Sequence, residues 1–298
     1  MAAVIKPLDN PFFAAMRDGL LVTAKRYRAE ITVQAAAALE DTAGQASALE
    51  SLVARGADCY IVNPIDDSNL IPPLSGVVAP IVNIDSPVDP SAARAAGVRV
   101  TTYIGIDNVA AGRLAARAMA GRVGQQARVA VIAGIPGDVG SMARTRGFVE
   151  EARGHFMVVA TVAADFDRRQ AHDAAIQLLR GTGRVDGIFA VNDQMALGVA
   201  DAVSTRRRSL PVIGVDGIPQ ALAAIRRGEL SATVAQYPFT IGQLGVEACV
   251  AAKRGKAVPA TVRAPIQLVT QENVGRAQLS QPRPVEPFAD PLASLLRG

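Results

Sequence analysis

The chain has 298 residues, of which 50% are hydrophobic and 19% charged, and its net charge is only +4. A length of this order suggests about two domains of roughly 100–150 residues each. The small net charge, spread along the chain, argues against a nucleic-acid-binding protein. No stretch approaches the ~18 consecutive apolar residues that span a membrane. The composition is therefore typical of a two-domain globular protein.

Residues that bind metals or carry nucleophilic chemistry are sparse. His155 and His172 are isolated from any cluster with metal-ligand spacing, so we expect surface positions for both, and no metal or cofactor. Cys59 and Cys249 each lie in an apolar run, and two buried free thiols are the default interpretation; a disulfide between them stays open. The one basic run, Arg206–Arg208, is interpreted as a solvated helix end.

Strand-like and helix-like runs alternate along almost the whole chain. The predicted strands are Ala2–Ile5, Ile31–Val33, Ala57–Val62, Ile81–Ile84, Thr101–Ile104, Arg128–Ala133, Met157–Val162, Gly187–Val191, Pro211–Val215, Ala232–Ala235 and Ile266–Thr270. The helical patterns are Pro11–Tyr27, Gln45–Arg55, Val109–Arg122, Met142–Arg153, Arg169–Leu179, Gln194–Val203, Gln220–Arg226 and Ile241–Lys253. This alternation predicts βαβ units with parallel sheets. About ten strands are too many for one doubly wound sheet, so we expect two α/β lobes.

The domain boundaries are predicted from the order of these runs. The first domain is expected to end near Ile106, and the Pro-interrupted stretch Gln236-Tyr237-Pro238 precedes a further helix and strand. That return of the chain suggests several connections between the lobes, which is typical of a hinge. The predicted division is residues 1–106 plus 237–265 for the first lobe, residues 107–236 plus 266–279 for the second, and a Pro-rich tail, 280–298, with at most a short helix at Leu292–Leu296.

The segment Asn10-Pro11-Phe12-Phe13 follows the first predicted strand. Asn is a favoured N-cap and Pro a favoured first helical residue, so a helix should begin here. Ligands of open α/β sheets bind at the carboxyl ends of the strands. Because a helix needs an apolar residue only every three or four positions on its core face, at least one of Phe12 and Phe13 should face the crevice. A flat ring there suits the apolar face of a sugar, although core packing of both rings is the alternative.

Polar residues follow several of the other predicted strands. They are Asp85, Asp107, Asn108, Asn192, Asp193, Asp216 and Gln236, while Arg144 and Phe166 lie in the segments after two further strands. Helix capping is the favoured explanation for Asp107, Asn108 and Asp193, and Asp216-Gly217 also fits a plain turn. A buried unpaired hydroxyl costs about 1–3 kcal/mol, so a sugar site needs acceptors, donors and aromatic rings. The whole set fits that requirement.

With these residues in view, the chain resembles the ribose- and allose-type periplasmic sugar-binding proteins of ABC importers, within the type I periplasmic binding proteins. The resemblance runs from Val4 to about Gln271. Its motifs are Asn10-Pro11-Phe12-Phe13, Asn63-Pro64, Asp107-Asn108, Ala143-Arg144 followed by Arg146-Gly147, Ala164-Asp165-Phe166-Asp167-Arg168, Asn192-Asp193 with Met195-Ala196-Leu197-Gly198, Asp216-Gly217 and Ala235-Gln236. The resemblance implies two doubly wound parallel-sheet lobes, joined by a three-segment hinge, that close on a monosaccharide.

The resemblance, together with the residues at the strand ends, gives the predicted ligand-binding set. In the family pattern Phe13 and Phe166 sandwich the sugar ring. Ribose binders have an Arg directly after the residue that matches Asp85, whereas this chain has Ser86. A hexose of the allose type, another pentose or a sugar alcohol is therefore expected rather than ribose. The full set is Asn10, Phe12, Phe13, Asp85, Ser86, Asp107, Arg144, Phe166, Asn192, Asp216 and Gln236.

Partners and compartment are also inferred from the resemblance. It implies a membrane permease of an ABC transporter as partner, a monomer, no nucleic acid and an extracytoplasmic location. The sequence begins without a signal-peptide pattern, so compartment is inferred from the family alone.

Three other classes of protein share some of these features. An enzyme is disfavoured because the chain lacks a nucleophile elbow, a Walker loop and a His-Glu-x-x-His motif. A lac-repressor-type effector domain would need a helix-turn-helix before the first strand. Delivery of the ligand to a chemoreceptor or sensor kinase stays open beside transport.

Overall fold

The computed structural model describes residues 1–181, 184–207 and 209–297. The predicted alternation of strands and helices is confirmed. The strands are β1 Ala2–Ile5, β2 Thr32–Ala35, β3 Tyr60–Val62, β4 Ile81–Ile84, β5 Val100–Gly105, β6 Arg128–Ala133, β7 Met157–Ala163, β8 Gly187–Ala190, β9 Val212–Asp216, β10 Ala232–Gln236, β11 Thr261–Arg263 and β12 Ile266–Thr270. The helices are α1 Pro11–Arg26, α2 Thr42–Arg55, α3 Ile71–Leu74, α4 Pro90–Ala95, α5 Asn108–Ala120, α6 Val139–Ala152, α7 Arg168–Arg180, α8 Asp193–Thr205, α9 Pro219–Arg227, α10 Pro238–Lys253, α11 Val274–Ser280 and α12 Ala293–Leu296.

The chain folds into two compact units. Unit 1 contains residues 1–106 and 237–264 and the described residues from Pro287 on, and unit 2 contains residues 107–236 and 265–286. The chain therefore passes between the units after residues 106, 236, 264 and 286. The last passage is additional to the three that the resemblance implies, because the tail divides between the units.

Each unit contains one six-stranded sheet. The order in unit 1 is β11-β5-β4-β3-β1-β2, and in unit 2 it is β12-β10-β9-β8-β6-β7. All pairings in the first sheet are parallel. In the second sheet the edge strand β12 is antiparallel to β10, with Gln236 opposite Ile266. The chain leaves unit 2 at the end of β10 and returns at the start of β12, so β12 begins beside that end and has to run back.

The elements that the sequence analysis missed are short. They are α3, α4, β11 and α11, none longer than seven residues. A helix of one or two turns shows too little hydrophobic periodicity to be predicted from its pattern. The predicted start of α2 at Gln45 was three residues late, because Asp41 caps the helix by accepting a hydrogen bond from Gly44 N.

Cys59 and Cys249 form a disulfide, so the expectation of two free thiols was wrong. The residues are 190 positions apart in the sequence, but their Cα atoms lie 5.8 Å apart, within the range that a disulfide requires. Cys59 immediately precedes β3, and Cys249 lies on α10, which packs against that strand. Sequence spacing carries no information about this contact, because it is made only when α10 returns to unit 1.

Both histidines are at least partly exposed, as predicted, whereas Nη2 of Arg206 in the basic run is buried. His155 is exposed, and the side chain of His172 is 35% exposed. Arg206 and Arg207 follow the last turn of α8, and Arg208 lies outside the described residues. Within the described ranges, His, Cys, Asp and Glu side chains form no group of three or more that would hold a metal ion. None of the described helices is long and apolar enough to cross a bilayer.

One carboxyl group is buried in the interior of unit 1. Glu247, on α10, is 1% exposed, and its Oε1 accepts a hydrogen bond from Gln243 Nε2 at 3.1 Å. Arg26 Nη1 lies 3.8 Å from Oε1, and Tyr27 and Asp290 also face the carboxyl group. Burial, with a further contribution from the Asp290 carboxylate, raises the pKa of Glu247 to about 7.

The stability of the protein should therefore fall as pH rises through neutrality. The folded-state pKa of Glu247 lies above its unfolded value, so its contribution is complete below about pH 4.5 and is lost as pH approaches and passes about 7. A shift of this size corresponds to about 3 kcal/mol at most. Urea unfolding between pH 4.5 and 8 should show this loss in the parent and a flatter profile in Glu247→Gln. The exposed Glu50→Gln is the control, and the hypothesis is wrong if both variants keep the parent's pH dependence.

Candidate functional site

The strand order identifies the binding edge of each unit. In both sheets the first strand of the unit lies between the second and the third, which is the order of a flavodoxin-like sheet. The chain reverses its direction of winding between the first and third strands, and ligands bind beside the carboxyl ends at that point. The edge lies between β1 and β3 in unit 1 and between β6 and β8 in unit 2.

In unit 1 the helix predicted from Asn10 begins at this edge. Asn10 Oδ1 accepts a hydrogen bond from Phe12 N at 3.0 Å, so Asn10 is the N-cap of α1. Its backbone N–H donates to Asp9 Oδ1 at 2.8 Å. Phe12 and Phe13 are 5% and 8% exposed, and their rings pack edge to face with centroids 5.2 Å apart. Which ring contacts a ligand stays a prediction.

A lysine that the sequence analysis missed lies next to Phe13. Lys6 directly follows β1 and is only 7% exposed. Its Nζ donates a hydrogen bond to Ser86 Oγ at 2.7 Å and lies 5.8 Å from the centroid of the Phe13 ring. The position after Asp85 therefore lacks the guanidinium of ribose binders, but an ammonium group reaches it from another strand. The sequence signal that could have identified Lys6 is its position, as a charged residue directly after an apolar strand at the binding edge.

The turn that carries Asp85 and Ser86 is fixed by buried amides. Asp85 has φ +62°, a left-handed conformation that is strained for a residue with a side chain. Tyr103 Oη donates to Asp85 O at 2.6 Å, and Asn83 Nδ2 donates to Ser86 O at 2.8 Å. Asn63 Oδ1 accepts from Ser86 N at 3.4 Å. These side chains position the turn. The sequence signal for this role is Asn83, a polar residue inside the otherwise apolar strand β4.

In unit 2 an arginine connects three elements at the binding edge. The Arg144 side chain, on α6, is 11% exposed. Its Nε donates to Asn108 Oδ1 at 2.8 Å, and its Nη1 donates to Val191 O at 2.8 Å. The same Nη1 lies 3.6 Å from Asp216 Oδ1. The structure therefore brings Arg144 and Asp216 together, as required if both bind one ligand.

Gln236 completes this cluster. It ends β10, is 3% exposed, and its Nε2 donates to Asp216 Oδ1 at 2.7 Å. Its Oε1 is buried and has no hydrogen-bond partner in the described part of the chain. A buried acceptor without a donor is costly, so this oxygen is suited to a ligand hydroxyl.

Phe166 follows β7, and its ring packs against Gly134 at the end of β6. Asp165 and Phe166 have φ values of +50° and +60°, which place both in the left-handed region. A Cβ added to Gly134 would collide with the Phe166 ring, so the glycine after β6 allows the ring to pack closely there. Strained conformations of bulky residues persist where the surroundings hold them and cluster at functional sites.

The residues after β8 separate into two roles. Asn192 Oδ1 accepts from Met195 N at 2.9 Å and caps α8. Asp193 is fully buried; its Oδ2 accepts from Gly217 N at 2.6 Å and from Ile218 N at 3.0 Å. The capping interpretation was therefore wrong for Asp193, which holds the turn after Asp216.

The electrostatics of Asp193 reflect that position. Burial, together with the neighbouring Asp216 carboxylate, raises the pKa of Asp193. Its donors oppose this effect: the Thr233 hydroxyl, 2.7 Å from Oδ1, and the two backbone N–H groups of the turn. Asp193 thus acts on the site through the backbone.

The capping interpretation has a different outcome at the start of α5. Asp107 is exposed and is the N-cap, accepting from Ala110 N at 2.9 Å, as predicted. Asn108 is not a cap, because its side chain accepts from Arg144. Whether Asn108 caps the helix depends on the Arg144 side chain, which comes from another helix and is not evident in the local sequence. A ligand-binding role for Asp107 stays a prediction.

Comparison with known proteins agrees with this fold. Residues 1–257 match the family described as periplasmic binding protein domain. The ribose import binding protein RbsB of Bacillus subtilis is 35% identical over 271 residues, covering 90% of this chain and 86% of the relative. The D-allose-binding periplasmic protein of Escherichia coli is 32% identical over 269 residues, which cover 87% of this chain and 86% of the relative.

Solved structures agree as well. A solute-binding protein of an ABC transporter from Actinobacillus succinogenes, with bound D-allose, has a TM-score of 0.87 at 29% identity and covers 92% of this chain and 98% of its own. The fold and the polar strand ends define a two-unit α/β binding protein. The chain belongs to the periplasmic binding protein family, which consists of solute-binding proteins.

Proposed function

We propose that this chain is the solute-binding component of an ABC importer, with a monosaccharide or sugar alcohol as its ligand. The observation that carries the proposal is the buried cluster of Arg144, Asp216 and Gln236, in which Gln236 Oε1 has no partner in the described part of the chain. The cluster offers a guanidinium donor, a carboxylate acceptor and an amide, which is the chemistry that binds a polyhydroxylated ligand. The chain is not an enzyme under this proposal.

The ligand-binding residues are proposed to be the predicted set with Lys6 added. Ligand binding favours the bound conformation by its differential affinity. The permease then recognises that conformation. Phe13 and Phe166 contact the apolar faces of the sugar ring, and the polar side chains bind its hydroxyls.

D-Allose is the first candidate ligand. The name of one relative and the ligand of one similar structure both specify this sugar. In this chain Ser86 replaces the arginine of ribose binders, and the Lys6 ammonium bonded to Ser86 supplies a donor of different reach. A site built on hydrogen bonds rejects ligands that leave its buried groups unpaired, so ribose should bind less well.

The proposed location is extracytoplasmic. The family is one of periplasmic proteins. The Cys59–Cys249 disulfide supports the same location, since disulfides persist in oxidising compartments and are rare in the cytosol.

A thermal-shift panel of pentoses, hexoses and sugar alcohols tests the proposal. The chain has no Trp, so an external dye reports unfolding. A ligand at 1,000 times its Kd stabilises by ~4 kcal/mol, which raises Tm by roughly 8–16 °C for domains of this size. We expect such a shift with D-allose or a related hexose and a smaller one with ribose. A panel in which every sugar leaves Tm unchanged contradicts the proposed function.

A further inference from the structure

The C-terminal segment contacts the turn that carries Asp216. Gln281 lies beyond the residues matched by the family, 1–257, and its Nε2 donates a hydrogen bond to Gly217 O at 2.9 Å. Gln267 Oε1 accepts from Val285 N at 3.0 Å, and Arg276 pairs with Glu286 at 2.8 Å. Residues 281–286, directly after α11, are therefore fixed to unit 2 by their own contacts, and Gln281 is held in place.

The turn itself has an unusual backbone. Asp216 and Gly217 have φ values of +126° and +74°. A residue with a side chain is strained at such an angle, and the conformation persists only where the surroundings fix it. A Cβ at Gly217 would also collide with Ala235, so no other residue fits there.

Two side chains fix this turn from different elements. Asp193 accepts hydrogen bonds from the N–H groups of Gly217 and Ile218. Gln281 donates to the carbonyl of Gly217, which Asp193 cannot do as an acceptor. The peptide groups that follow the Asp216 carboxylate are thus held on both their donor and acceptor sides.

We propose that Gln281 is a positioning residue for ligand binding, which holds the Asp216–Gly217 turn so that the Asp216 carboxylate is presented to the sugar. The inference rests on the proposed function, because it assigns to the C-terminal segment a part in the same site. Gln281 acts through the turn and does not itself contact the ligand.

The test replaces Gln281→Met, which keeps the length of the side chain and removes the donor. Hydrogen exchange of the ligand-free protein should become about 3- to 10-fold faster at the amides of Gly217 and Ile218, as expected for one lost hydrogen bond. The Kd for D-allose, measured by calorimetry, should rise by a similar factor. Leu279→Ala, at an 89% exposed position on α11 two residues before Gln281, is the matched control and should change neither quantity.

The possible results separate this proposal from the proposed function. Unchanged exchange at both amides overturns it, and so does faster exchange with an unchanged Kd. If Gln281→Met does not fold, Gln281→Glu removes the same donor with less change in shape and is measured in the same way. If no sugar of the panel binds the parent, the proposed function fails, and with it the role in binding, while hydrogen exchange still shows whether Gln281 orders the turn.

Discussion

Replacing Asp216 with alanine is expected to raise the Kd for the bound sugar about 30-fold or more. The carboxylate accepts from Gln236 Nε2 and lies 3.6 Å from Arg144 Nη1; Gln236 is buried, and the Arg144 side chain is 11% exposed. Truncating a charged group in a desolvated binding site costs about 2–5 kcal/mol, and here Gln236 Nε2 also loses its acceptor. Arg144→Ala should have an effect of the same order, since it also removes the donor to Asn108 and Val191.

Calorimetric titration with D-allose measures this effect. Arg146→Ala is the matched control for Arg144: it lies on the same helix, and its side chain is 65% exposed. Asp201→Ala, an exposed carboxylate on α8, is the control for Asp216. Asp216→Asn keeps the shape of the side chain and separates loss of charge from loss of folding. Parent-like affinity in both Asp216→Ala and Arg144→Ala would place the site elsewhere.

Most of the fold could be predicted from local pattern. The bounds of β1, β4, β6 and β12 agree with the runs that predicted them. Short, mainly apolar runs between turn residues are the sequence signal of such strands. Helix α1 was predicted to begin where it does, because the Asn10 cap and Pro11 specify its first turn. Strand runs and helix caps are determined by residues close together in the sequence, so they can be recognised from the sequence alone.

Features that depend on contacts between distant elements were not predictable in this way. Lys6 reads as an ordinary strand end until the structure places Ser86 and Phe13 beside it. Asp193 follows a strand, as a helix cap does, and only the arrival of β9 beside α8 shows that it holds a backbone turn. Site residues could be predicted where their type and their position at a strand end were enough to suggest a role. They were missed where the role depends on a contact with a residue distant in the sequence.

The Cys59–Cys249 disulfide should contribute about 2–5 kcal/mol to the stability of unit 1. The bond closes a loop with a sequence separation of 190, and long loops lose the most conformational freedom in the unfolded chain. Both residues are 0% exposed, so Cys59→Ala with Cys249→Ala also leaves a small change in packing. The double variant should therefore unfold at a clearly lower temperature, roughly 2–4 °C lower for each kcal/mol lost.

Calorimetric unfolding of parent and double variant, each with and without reductant, distinguishes the bond from the packing. The ion pair between Asp58 and Lys253 joins the same two elements beside the disulfide, so Lys253→Met is a matched control. An exposed pair contributes about 0–1 kcal/mol, and its loss should lower Tm far less. Reductant should lower the Tm of the parent and leave that of the double variant unchanged. Equal Tm values for the oxidised parent and the double variant would show that the cross-link does not stabilise unit 1.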